Sequence, residues 1–235
     1  IGKMRQYGQD NVVITEDGHY LGMVSKRDML RKNVDFGQMK ARTVTTKHPS
    51  LERSTPLADI VQAMYESNAR ELPVVEKGRV VGAVDITSII VEMTHIPEFR
   101  QLTAAEIGSR NPLLLNLGDD LSKAISLMKK NNVKKVPVVD EEGKLQGILR
   151  FEDLMEAYMV QAVEKNDVYR ANVWGGHTAD RRSALKVKIV GVVSDHYATA
   201  AEDASMDKVL ELMAEKGVVI LTKRERPSGI ITYKN

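Results

Sequence analysis

One supersecondary pattern returns along this chain, and that recurrence restricts the fold more than any single residue does. Leu57-Ala-Asp-Ile-Val-Gln-Ala-Met64 leads to Pro73-Val74-Val75 and then to Gly82-Ala83-Val84. The same parts come back in order as Leu121, Ala124, Ile125 and Met128, then Pro137-Val138-Val139 and Gly147-Ile148-Leu149. A further copy runs Met206, Val209, Leu210 and Met213, then Val218 to Leu221 and Gly229-Ile230-Ile231. Upstream, Met4, Val12-Val13-Ile14 and Gly22-Met23-Val24 supply the end of another copy, with Gly18 standing where Gly78 stands in the next. Recurrence at intervals of about 60 residues or more means duplication of a whole structural unit.

Each unit alternates helix and strand. Leu57, Ile60, Val61 and Met64 follow the i, i+3, i+4, i+7 rule, as do Leu121, Ala124, Ile125 and Met128, so each short helix carries one apolar stripe. Thr55-Pro56 and Asp119-Asp120 are helix-start chemistry. The strands Leu72 to Val75 and Val136 to Val139 are valine-rich and short, the signature of burial on both faces. The turns Glu76-Lys77-Gly78-Arg79 and Asp140 to Lys144 join them to antiparallel partners over Val80 to Val84 and Leu145 to Leu149. Second helices are expected over Thr87 to Met93 and Phe151 to Val160, and first strands over Ser50 to Glu52, Leu113 to Asn116 and Ala198 to Ala201. The fold class is therefore α/β (α+β), built of small β-α-β-β-α units.

A chain of 235 residues with 43% hydrophobic and 28% charged content is an ordinary globular composition. Units of about 60 residues are marginal alone, so they are expected to pair. The net charge of +2, from 34 basic against 32 acidic residues, provides no overall field for nucleic acid or an anionic membrane. No apolar stretch approaches a membrane span, and the absence of cysteine excludes disulfides and thiolate metal sites, which suits a cytoplasmic location. Five scattered histidines have no metal-ligand spacing.

These repeats resemble CBS domains, specifically the four-repeat proteins built as two tandem pairs, or Bateman modules, as in the gamma subunit of AMP-activated protein kinase. The resemblance places repeats at residues 1–35, 40–95, 103–163 and 186–235, with a linker at 164–185. The first lacks its initial strand and helix, and the last stops where its closing helix should begin. It implies a regulatory module, with no catalytic residues, required cofactor or metal, that senses AMP, ADP or ATP in clefts between repeats. The bound state would be passed to an effector protein not identified by sequence. A monomeric disc or a homodimer is the implied assembly. S-adenosylmethionine or a dinucleotide is the alternative ligand class, and a regulatory fragment of an enzyme such as an IMP dehydrogenase the alternative context.

Past each Gly-hydrophobic-hydrophobic strand lies a tetrad: Ser25-Lys-Arg-Asp28, Asp85-Ile-Thr-Ser88, Arg150-Phe-Glu-Asp153 and Thr232-Tyr-Lys-Asn235. In the family a Ser or Thr followed three residues later by Asp or Asn grips phosphate and the ribose diol. A carboxylate receives two donors from a vicinal diol, and a hydroxyl at a helix start stands among free amides. Ser25 with Asp28 and Thr232 with Asn235 keep the signature, and Asp153 keeps half of it. The other reading is a capping box, in which Ser25 closes the helix start and Asp28 reaches back to its amide.

For phosphate, the resemblance points to the cations before the hydrophobic-Pro-Val strand, Lys134 and Lys135 in the third repeat and Arg70 in the second. A solvated basic cluster is the competing reading. Thr46, Ser109 and Ser194 precede the first strands, where the family contacts adenine; ordinary strand-opening residues would look the same. Trp174-Gly-Gly-His177 reads as a linker with an anchoring Trp. The shorter fourth repeat, without a Pro-Val-Val strand, implies a reshaped pocket there.

Overall fold

The computed structural model describes residues 11–25, 40–154, 157 and 187–233. Met4, Asp28, Asn235, the segment 164–185 with Trp174-Gly-Gly-His177, and half of the helix expected over Phe151 to Val160 lie outside them. The chain divides into two compact units, Ile1–Ile89 and Ile90–Asn235.

Four hairpins form the backbone of both units. In the first unit they are β1 (Asn11–Glu16) with β2 (His19–Ser25) and β3 (Glu71–Glu76) with β4 (Arg79–Asp85). In the second, β5 (Ser109–Arg110) and β6 (Leu115–Asn116) precede the hairpin of β7 (Lys135–Val139) and β8 (Leu145–Arg150). There β9 (Ala198–Ala200) precedes that of β10 (Val218–Lys223) and β11 (Arg226–Thr232). Every hairpin pairs its repeat glycine with the fourth residue of the first strand, as Ile14↔Gly22, Val74↔Gly82, Val138↔Gly147 and Leu221↔Gly229. The register then shifts by a bulge directly after that pair in all four. Asp17-Gly18 and Lys77-Gly78 close their hairpins with both central residues at positive φ, the turn whose twist matches the strands. The fourth hairpin does the same with Arg224 and Glu225, neither of them glycine.

In the first unit the sheet order β1-β2-β4-β3 joins the two hairpins where His19 pairs with Arg79. In the second unit the sheets are β5-β11-β10-β9 and β6-β7-β8. First strands run parallel to the hairpins, β6 to β7 and β9 to β10. The strand expected over Ser50 to Glu52 reduces to a single parallel bridge of Leu51 with Val74. The one expected over Leu113 to Asn116 is confined to Leu115–Asn116, because Asn111 at positive φ followed by Pro112 turns the chain and leaves Leu113 and Leu114 exposed.

The helices of eight or more residues among the described residues are α1 (Leu57–Ser67), α2 (Ile86–Met93), α3 (Leu121–Lys130) and α4 (Met206–Lys216). Leu121, Ala124 and Met128 of α3 and Met206, Val209, Leu210 and Met213 of α4 are buried, as their spacing requires. Asp120 caps α3 by accepting from the Lys123 amide at 2.8 Å. The fourth repeat does keep a strand without its Pro-Val-Val: Val218 to Leu221 are all buried, and the shorter spacing is taken up by passing from α4 to β10 through Gly217 alone, at φ +67. Ile90, Ala198, Met206, Val209, Leu210, Met213, Val219, Leu221 and Ile231 form the main core of the second unit. Ile148 joins Val218 and Ile220 in a smaller cluster that ties the third repeat to the fourth.

The repeats of a unit are also joined by exchange of backbone. Thr46 bridges Met23 of the first repeat, Ser194 bridges Ile148 of the third, and Ser109 pairs with Ile230 of the fourth. The glycine before each of those partners admits the visiting segment. A Cβ at Gly147 would stand 2.3 Å from Val193 Cγ1 and 2.9 Å from the Ser194 carbonyl, and one at Gly22 2.6 Å from the Thr46 carbonyl. Among the described residues, nothing approaches within 4 Å of the same position at Gly82. We expect Gly147→Ala to cost about 1 to 3 kcal/mol by overpacking, and Gly82→Ala to be neutral or to stabilise by up to about 1 kcal/mol. Chemical denaturation of the two variants checks this contrast.

Candidate functional site

Because each hairpin starts its ladder at the tetrad, the first tetrad residue always faces the first residue of the preceding strand. The pairs are Asn11↔Ser25, Glu71↔Asp85, Lys135↔Arg150 and Val218↔Thr232. The visiting segments arrive two residues earlier on the same strands. A residue two steps along a strand lies on the same face. Thr46 is thus brought to the strand of Ser25, Ser109 to the strand of Thr232, and Ser194 to the strand of Arg150, in each instance from the other repeat of the unit.

The tetrads differ in what they do with this common frame. Ser25 is 7% exposed, the one polar residue in the buried set among the described residues. Asp28, its expected partner, and Asn235, the partner of Thr232, lie outside the described residues. Asp85 caps α2, accepting from the Ser88 amide at 2.9 Å and the Ser88 hydroxyl at 3.1 Å. In the third repeat the Arg150 guanidinium forks onto Asp153, with Nε to Oδ2 and Nη2 to Oδ1 both at 2.6 Å. A carboxylate held in that fork is already engaged by donors that a sugar diol would have to displace. Asp153 thus serves its own repeat, a consequence of Arg150 replacing the signature hydroxyl.

The expected phosphate cations separate as well. Lys134 and Arg70 occupy matching places: the Lys134 carbonyl accepts from Phe151 N at 2.9 Å and the Arg70 carbonyl from Ile86 N at 2.8 Å. Lys134 Nζ stands 5.8 Å from the centroid of the Phe151 ring. Lys135 crosses to the fourth repeat, donating to the Gly217 carbonyl at 2.7 Å and lying 5.5 Å from the centroid of the Tyr233 ring. It therefore closes the C-terminal end of α4, where a positive charge opposes the negative end of the helix dipole. It also sits beside the Thr232-Tyr233 tetrad, which the spacing of cation and tetrad along the sequence could not show. Ser194 spends its hydroxyl locally, accepting from the His196 amide at 3.0 Å.

Glu71 holds the place of Lys135 in the first unit and escaped the sequence reading. It accepts from Asn11 Nδ2 of the first repeat at 3.4 Å. Burial pushes its carboxyl up from the ordinary range; the Asn11 bond opposes this, and the Asp85 charge adds to it. Aligning the repeats on Pro73 and Pro137 would have exposed the contrast. Among the described residues, no group of His, Asp and Glu is arranged to hold a metal ion. No helix there is long and apolar enough to cross a membrane.

The CBS domain family model matches residues 1–35, 41–95, 104–160 and 188–235. Protein MJ1225 of Methanocaldococcus jannaschii is 23% identical over 62% of this chain and 57% of its own length. A 33.4 kDa protein from the ribosomal RNA operon of Thermofilum pendens is 23% identical over 95% of this chain and 77% of its own length. A second protein of the former organism, MJ1404, is matched over 38% of its length, so the chain spans from about a third to over half of these M. jannaschii relatives. Among solved structures, that of MJ1225, described as a proposed archaeal homologue of g-AMPK, has a TM-score of 0.74 at 15% identity, covering 99% of this chain and 88% of that one. A conserved protein of Pyrococcus horikoshii follows at 0.63 and 17% identity, covering 96% and 88%. At these identities the likeness is one of fold.

Two outcomes test the electrostatics. Lys135→Met should lower stability by about 1 to 2 kcal/mol, the worth of a partly buried cation at a helix C-terminus, read from urea unfolding. Glu71→Gln should raise the melting temperature at pH 7. A carboxyl whose folded pKa is raised favours folding when protonated and loses that contribution as pH rises through the folded value, so the gain should vanish below pH 4.5. Melting curves at the two pH values decide it.

Proposed function

This chain belongs to the CBS domain family, whose members are generally regulatory ligand-binding modules rather than catalysts, and on that premise we propose that it senses adenosine nucleotides. Fold alone does not assign a ligand; the side chains at the site do. The observation that carries it is the pairing of a segment from one repeat with a hairpin strand of the other, which brings Thr46 to the strand of Ser25 and Ser109 to the strand of Thr232. An adenosine ligand lying across such a junction would touch both repeats of a unit, with adenine at Thr46 or Ser109. Its ribose would lie at Asp28 or Asn235, and in the second unit its phosphate would face Lys135 and Lys134. Arg70 is the basic residue at the place matching Lys134 in the first unit, beside the carboxylate of Glu71. The third tetrad contributes less, because Arg150 holds Asp153.

Binding that touches both repeats favours one arrangement of the pair, and a partner that reads that arrangement would be regulated. AMP, ADP and ATP are the ligands proposed, with an effector protein as the recipient of the signal. The role is one of binding, with no cofactor or metal assigned to it.

A ligand present at a hundredfold its dissociation constant stabilises the folded state by about 2.7 kcal/mol. AMP or ATP should therefore raise the melting temperature clearly, and adenine alone much less. Asp28→Ala should remove the component of adenosine binding that belongs to the first unit. A melting curve unmoved by adenosine compounds but shifted by an unrelated metabolite would overturn the reading.

A further inference from the structure

The hydrogen-bonded ladder makes four residue pairs strictly comparable, because each lies three steps from the repeat glycine on both strands. In the first unit these are Asn11↔Ser25 and Glu71↔Asp85; in the second, Lys135↔Arg150 and Val218↔Thr232. The first unit has two carboxylates at these places and the second has two cations. Two of the four charges are locally engaged. Asp85 caps α2, and Arg150 forks onto Asp153. The residue before the strand is basic in both units, Arg70 and Lys134. What remains unlike is one position, Glu71 against Lys135.

Both side chains reach across to the other repeat at matching places. Glu71 meets Asn11, the residue that opens β1, and Lys135 meets the Gly217 carbonyl, directly before the residue that opens β10. Each thus lies beside a tetrad that keeps its hydroxyl: Asn11 faces Ser25, and Gly217 precedes Val218, which faces Thr232. A charge there acts on whatever group an adenosine ligand extends from its ribose.

We propose that Glu71 and Lys135 are charge-selecting residues: the second unit takes a phosphorylated adenosine, and the first takes an adenosine compound whose 5′ substituent is uncharged or cationic. This rests on the adenosine reading above. Opposite charge at one register position makes the chain a two-input module, in which the units respond to different members of one ligand class rather than twice to the same one. Selection by one charge is a difference of affinities, gained by attraction in one unit and repulsion in the other.

The test is calorimetric titration of the full chain with AMP, adenosine and 5′-amino-5′-deoxyadenosine at fixed ionic strength. AMP should fill one site and the amino compound another, without competing. Lys135→Glu should abolish the AMP site, and Lys135→Met, which introduces no repulsion, should weaken it about tenfold, the size of one screened charge interaction. Glu71→Lys, or Glu71→Gln where the larger change prevents folding, should strengthen AMP binding in the first unit at least about tenfold and weaken the amino compound. If AMP fills both units equally and none of these variants alters the ratio, charge selection is wrong while the adenosine reading stands. If none of the three compounds binds, the adenosine reading fails and this inference with it.

Discussion

The exchange of backbone between repeats holds each unit together and decides what its surface can do. A segment from one repeat pairs antiparallel with the second hairpin strand of the other, donating and accepting at 2.9 Å between Ser194 and Ile148 and again between Thr46 and Met23. The pairing satisfies the strand edge and covers its middle residues, and it requires the visitor to pass so close that only glycine fits beneath it. The repeat glycine that is so visible in the sequence is therefore a record of contact between repeats as much as of turns within one.

Differences in burial among the four hairpins follow from this. Gly147, Ile148 and Leu149 of β8 are buried beneath their visitor, and Met23 and Val24 of β2 are buried beside theirs. In β4, Val81 is 43% exposed and Gly82 and Ala83 are open. The helix of the same repeat shows the same contrast: Leu57 and Ile60 of α1 are only half-buried, whereas their counterparts Leu121 and Ala124 of α3 are buried. Equal local sequence patterns thus lead to unequal burial, because burial depends on what the other repeat supplies.

The tetrads carry this principle into chemistry. Their backbone geometry is shared, yet Asp85 serves a helix cap and Arg150 neutralises Asp153. A degenerate tetrad is still useful to its own repeat, since a helix start left without acceptors costs stability wherever it occurs. Where the signature hydroxyl is lacking, the position serves local capping or ion pairing, and the residues found there fit those tasks.

The chain's own sequence determined the hairpins, the apolar stripes of α3 and α4, the turn glycines and the fourfold repetition, because each depends on neighbours only a few residues away. It also located the hydroxyls Thr46, Ser109 and Ser194 at one equivalent position. It overstated the first strands, since Leu51 makes one bridge and Asn111-Pro112 bends the chain before Leu115. Only the tertiary structure decided which repeat each hydroxyl joins, that Lys135 reaches α4 rather than its own tetrad, and that Glu71 meets Asn11 across 60 positions of sequence. Those outcomes come from pairing between distant segments, whose register is set by hydrogen bonds and close packing that no local spacing encodes.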